Sequence, residues 1–374
     1  MISNTPFINR LSNSLLSIAL ILLLMYVGQS ILIPLAFANL LAILLMSPCN
    51  RLEKQGVPRG IAALISLIIA ITIVFFVLYF ISSQILSFRE ELPAVATQLY
   101  AAINDLEQWV QKTFHVSARN MNEFLKSATS ETLSNTSTIV TTTFASVSST
   151  LIYIVLIPIY AFLLLLYRGL VVHFFIKSFS EEHSPRVYNI LEKTRHVIKS
   201  YVVGLCIEML IVALLVFIGF MVLGIRYALL LAVITAVLNL IPYIGIFTAC
   251  VFSLLISFTT SGAATLLGVA IVIVVVHLID SNILLPKIVG SKVKINAMVT
   301  ILGVLVGHMI WGLPGMFLAI PIIAILKVVF DGVEHLEAWG LILGDEIVAV
   351  EMPKKTLFKL KKKVVKDDNK NLGE

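Results

Sequence analysis

One stretch limits what this chain can become. From Tyr227 to Thr260 it is apolar for more than thirty residues, and its middle reads Asn239-Leu240-Ile241-Pro242-Tyr243-Ile244-Gly245. About 20 apolar residues suffice to cross a bilayer. Pro242 lacks an N–H and clashes with the preceding turn, and Gly245 lets the chain bend, so a plain spanning helix cannot run through this insert. In hydrocarbon the freed carbonyls need partners inside the protein or in a water-filled cavity. The block therefore reads as a helical hairpin with the Asn-Pro-Gly turn at its tip, or as a Pro-kinked membrane helix.

Composition sets the class. Of 374 residues, 59% are hydrophobic and 13% charged, against about 25% charged in soluble domains. With a mean hydropathy of +1.01, the expectation is an all-α, polytopic helical membrane protein with broken helices or helical hairpins and an extra-membrane helical region. A soluble enzyme is excluded at this level. The net charge of +6 is no nucleic-acid footprint, because the basic residues sit in loops and one tail. Cys49, Cys206 and Cys250 lie in or beside apolar segments and read as small buried hydrophobes, with no disulfide and no metal site. No motif calls for a cofactor, and no Walker loop, zincin motif or nucleophile elbow marks an ATPase or hydrolase. Arg10, the apolar run Leu15–Val27 and Ala36-Phe37-Ala38 imitate a signal peptide, but apolar sequence continues to Met46, which argues against cleavage.

Four regions follow in order. Residues 1–87 hold a first apolar block, Leu11 to Met46, interrupted at Gly28-Gln29-Ser30 and Pro34, and then a continuous apolar run from Ile61 to Ile81. Residues 88–149 form the long polar region. Apolar residues at Phe88, Leu92, Val95, Leu99, Ala102, Leu106 and Trp109 alternate spacings of four and three, the seam of a helix packed on another helix, in its own subunit or a second copy. Residues 150–335 form the transmembrane core, with breaks near 227–260 and within 298–329, the latter at Trp311-Gly312-Leu313-Pro314-Gly315. Residues 336–374 end in a tail with eight lysines after Glu351, suited to anionic lipid.

Charge then orders the topology, since cytoplasmic loops carry the excess of Lys and Arg. Were each broken block one plain crossing, the lysine tail would lie opposite the other basic clusters. If all three blocks enter and leave on one side, Arg51–Arg59, Arg168–Lys199, Lys287–Lys294 and the tail share one face. This predicts a multi-pass protein with both termini cytoplasmic.

At these residues the chain resembles the autoinducer-2 exporter family of bacterial membrane proteins. Pro34 through Arg59, Asn239 through Gly245, the set Asp280, Asn282, Pro286, Ile288, Val289 and Gly290, and the set Gly312, Gly315, Met316, Ala319 and Pro321 carry the resemblance. Ile246 and Ala297 depart from it where Pro is common. The resemblance implies a bacterial plasma (inner) membrane protein, a homo-oligomer (a pentamer among relatives), hairpins that hold substrate, and elevator-like motion. Family members are associated with export of the small polar signal autoinducer-2, others with sodium(lithium)/proton antiport.

Broken helices at mid-membrane are where many carriers bind polar solutes. The expected substrate-binding residues are Asn239, Pro242, Tyr243 and Gly245, with Gln29, Gly312 and Gly315 at the other breaks. Asn239 reads equally as a cap of the broken helix. Glu208 is an ionisable group inside a span, costing at least ~2.5 kcal/mol at a helix centre unless paired, protonated or hydrated. Glu208, Asp280 and Asn282 are the candidates for coupling to protons or sodium. His277 and His308 read as satisfied core histidines. The functional expectation is a secondary transporter exporting a small polar, autoinducer-2-like solute. The alternatives are a sodium(lithium)/proton antiporter and a non-transporting membrane scaffold.

Overall fold

The computed structural model describes residues 7–89, 152–225, 227–240, 263–290 and 295–345, with a few positions between 249 and 257. Pro242, Tyr243, Gly245, the seam beyond Arg89, the serine/threonine-rich stretch and the lysine tail lie outside the described residues. Every extended element among those described is helical, and one isolated β-bridge joins Ile295 to Gly344.

Helix α1 (Phe7–Val27) meets α2 (Gln29–Lys54) at Gly28. Helix α3 (Arg59–Arg89) is separated from α2 by a short turn through Gly56, whose φ of 90° favours glycine. Helix α4 (Ile152–Leu166) bends by 67° into α5 (Arg168–Lys177). A 3₁₀ turn leads into α6 (Ser184–Val222), which at 39 residues is about 58 Å long and outreaches the bilayer. Helix α7 (Ala228–Leu238) is short and stops at Asn239. Helix α8 (Ala263–Ile279) continues as a π-helical segment, Asp280–Gly290. Helix α9 (Ala297–Gly332) and α10 (Glu337–Leu343) complete the described chain. Among the described residues, five helical stretches are long and apolar enough to cross a membrane, with α9 counted as one across its break.

The interior is divided by sequence. Val212, Val216 and Phe220 of α6 pack against Leu230 and Leu231 of α7 and Val269 and Ile273 of α8. Ala38, Ala42 and Cys49 of α2 meet Ala62, Ala63 and Leu67 of α3, with Ala161 and Leu165 of α4. Small residues dominate this second contact because helices in lipid gain from close van der Waals approach rather than from leaving water.

Two breaks solve their backbone problem together. Gly312 takes φ 61° and ψ −140°, and there the chain of α9 doubles back. A Cβ placed on Gly315 would strike the carbonyl oxygen of Gly307, and one on Gly303 would strike Ile323, so the two arms are pressed side by side. Next to this reversal the indole Nε1 of Trp311 donates to the Met25 carbonyl at 2.8 Å. Met25 lies in the last turn of α1, where the Gly28 break frees carbonyls, and the indole supplies the partner that lipid cannot.

Polar ties gather the basic ends of the bundle. Arg168 donates to Asn50 at 2.6 Å and to Glu53 at 2.5 Å, joining α5 to the end of α2. Arg186 donates to Glu334 and to the Gly332 carbonyl, each at 2.6 Å, joining α6 to the end of α9. Asp331 is held by Lys327 at 2.6 Å. Glu334 and Asp331 are thus used in ion pairs at helix ends.

Candidate functional site

Three elements converge on a buried polar cluster. Helix α7 ends at Asn239, whose backbone N–H donates to Thr235 at 2.9 Å and closes the last turn. Its side-chain amide Nδ2 donates to Oδ2 of Asp280 at 2.9 Å. Asp280 opens the π-helical segment, where the wider turn re-aims side chains that a regular α-helix would distribute evenly. Against the Asp280 carboxyl lies that of Glu208, from the middle of α6. Glu208 is 4% exposed, Asp280 5% and Thr235 4%, in walls made otherwise of valine and isoleucine.

The cluster is under-satisfied. Glu208 Oε2, Asp280 Oδ1, Thr235 Oγ1 and His277 Nδ1 are buried with no hydrogen-bond partner among the described residues. Each such atom costs about 1–3 kcal/mol when left alone. Thr235, Asn239, His277 and Asp280 line a cavity of about 10 Å³, closed by Val212, Val216, Ile273 and Val276. That is close to the least space that holds one water or a bare ion. Two carboxyls in contact in an apolar wall require a proton or a cation between them, because two bare charges at that range repel strongly. The arrangement can therefore hold and release a proton or a small cation.

The residues expected from sequence fall into separate groups. Glu208 and Asp280, expected to couple ions, are brought together with Asn239, expected to bind the solute. Asn282 is exposed, and its amide donates back to the Leu278 carbonyl at 2.9 Å and to Ser281 Oγ at 3.2 Å. This is local side-chain-to-backbone bonding one turn back. Gln29 is exposed at the start of α2. Gly312 and Gly315 belong to the folded-back tip of α9, beside the Trp311–Met25 bond. Thr235 and His277 are members that the sequence reading missed. Their signal was spacing: Thr235 is four residues before Asn239 and His277 three before Asp280, each on one helix face.

With this geometry in hand, the relatives are informative. The sequence profile described as "AI-2E family transporter" matches residues 15–334. "Putative transport protein YueF" of Bacillus subtilis (strain 168) is 25% identical over 312 residues, covering 81% of this chain and 84% of that one. "Putative permease PerM" of Escherichia coli (strain K12) is 26% identical over 311 residues, covering 80% and 87%. "Putative transport protein YrrI" of Bacillus subtilis (strain 168) reaches 40% identity over 128 residues, about a third of each chain. Five helical stretches among the described residues long and apolar enough to cross a membrane, broken elements meeting around buried acids, and a profile match over most of its length lead to one conclusion: the chain belongs to the AI-2E family and is a multi-pass membrane transporter.

Proposed function

We propose that this transporter is a secondary carrier that exports a small polar, autoinducer-2-like solute by an elevator-like displacement, with the Glu208–Asp280 pair carrying the coupling proton or sodium ion. The supporting observation is the junction itself. A helix that stops at Asn239 meets a helix that changes winding at Asp280, and the two are tied by a 2.9 Å bond beside a second buried acid, Glu208. Discontinuous helices with unpaired polar groups are how carriers bind ions and solutes inside a bilayer. The protein sits in the bacterial inner membrane with both termini and all basic clusters cytoplasmic, as a homo-oligomer.

A second reading is favoured by one specific observation. A cavity of about 10 Å³ accommodates an ion but not a sugar-sized molecule. In this reading the chain is a sodium(lithium)/proton antiporter, and the carboxyl pair is the whole substrate site.

The test is transport in sealed vesicles holding the full chain. Under the leading reading, autoinducer-2 efflux follows an imposed proton or sodium gradient and is lost in Asp280→Asn. Sodium-driven proton movement without autoinducer-2 flux selects the antiporter. Movement of neither refutes both readings and leaves the membrane scaffold.

A further inference from the structure

A groove of about 440 Å³ lies where α5, the start of α6 and the end of α9 meet. We propose that this groove is a binding site for an anionic phospholipid, with acyl chain along its apolar floor and phosphate at Arg186.

The walls and the rim differ in chemistry. Phe175, Phe179, Val187, Ile190, Val329 and Val333 supply its apolar lining. His183, Arg186, Glu334 and His335 supply its polar lining, and Arg186 and Glu334 are exposed to solvent, at the rim. The volume falls within the range of about 300–1,000 Å³ typical of ligand pockets. Its position fits a lipid: the apolar run of α9 gives way to the Lys327–Asp331 pair there, and the 67° bend after α4 turns α5 toward the membrane plane. Phe174 and Phe179 remain more than half exposed, as residues that enter the headgroup boundary do.

Charge decides among occupants. Arg186 spends two of its five N–H donors on Glu334 and the Gly332 carbonyl, and has no other bond among the described residues. The remaining donors suit a phosphate, which an arginine fork binds in a bidentate manner. The Arg186 guanidinium holds the Glu334 carboxyl below its usual range, with smaller contributions from His335 and His183, so the one acid lining the groove stays ionised and its charge is offset by the guanidinium it is paired with. A lysine-rich segment such as residues 352–374 of this chain would find one acid, Glu334, already paired with Arg186, and would leave the apolar walls without a partner. A soluble anion would leave the phenylalanine and valine walls bare. An anionic lipid satisfies both the rim and the floor.

The test uses the full chain reconstituted with equal parts phosphatidylglycerol and phosphatidylcholine, then extracted in detergent, with retained lipid measured by mass spectrometry. Phosphatidylglycerol should be retained in preference. Arg186→Gln should lower its retention about fivefold, the effect of one charge at a membrane surface. Lys193→Gln, outside the groove, should leave retention unchanged. Val333→Trp fills the groove from an extended backbone position that tolerates bulk, and should expel lipid while the chain still folds. Equal retention of the two lipids overturns the proposal, as does an equal effect of Arg186→Gln and Lys193→Gln. Retention that survives Val333→Trp, or that disappears only when residues 346–374 are removed, overturns it too and gives the lipid to another surface or to the tail.

Discussion

Replacing Asn239 with leucine tests whether the tie between α7 and Asp280 is part of the transport cycle. The substitution removes one N–H···O bond of 2.9 Å and leaves the Glu208 carboxyl as the polar group against Asp280. A hydrogen bond to a charged group contributes about 1.5–3 kcal/mol, which corresponds to roughly 10- to 150-fold in an equilibrium. The backbone bond from Asn239 to Thr235 does not depend on the side chain, and leucine has similar bulk and is at home in lipid. Expression and assembly should therefore match the parent. The balance between the tied junction and an opened one should shift by the stated factor. Thiol labelling of Thr235→Cys, in a background with the three native cysteines replaced by serine, reports that opening, because Thr235 is buried in the cavity wall. Labelling should accelerate roughly 10- to 150-fold in Asn239→Leu, and gradient-driven transport in vesicles should be lost. Unchanged labelling with normal transport would mean that Asn239 only terminates α7, and the reasoning fails.

Other outcomes follow from the same geometry. Glu208→Gln keeps the shape of the buried pair and removes its charge, so flux should lose its dependence on a proton or sodium gradient while the oligomer forms normally. Gly315→Ala should cost about 1–3 kcal/mol, read as reduced folded yield, because its Cβ meets the Gly307 carbonyl across the folded-back arms. Trp311→Phe should strand the Met25 carbonyl at a cost of about 1–3 kcal/mol and lower the melting temperature in detergent. Single cysteines at Arg59 and Lys193 should react with an impermeant thiol reagent only from the cytoplasmic face; labelling from outside would invert the proposed topology.

Much of the fold was legible because lipid narrows the choices. Apolar length announces spans, and Gly and Pro inside such lengths announce breaks; the reversal at Gly312 falls within the Trp311–Gly315 insert that sequence singled out. The partners of those breaks were not legible. Trp311 reaches Met25 across 286 residues, and nothing local to either position predicts it. The same holds for the site. Glu208, Asn239 and Asp280 each stand out as polar groups in apolar runs, but only the packing of α6 on α7 and α8 makes them one cluster. Gln29 and Asn282 stood out by the same criterion and are exposed, since polarity in a helix does not say which way a side chain faces. His277 was read as a satisfied core histidine, and its Nδ1 is without a partner among the described residues because the cavity, not a neighbour, faces it.

Helix α6 is continuous from the Arg186 end to beyond Glu208, with no proline after its first turn. The two residues are 22 positions apart, about 33 Å along the axis. A rod of that length acts as a lever: a tilt of about 5° pivoting at Arg186 carries Glu208 sideways by about 3 Å. That displacement equals a whole hydrogen-bond length, so events at the water-facing end of α6 are felt at the buried acids as the making or breaking of contact.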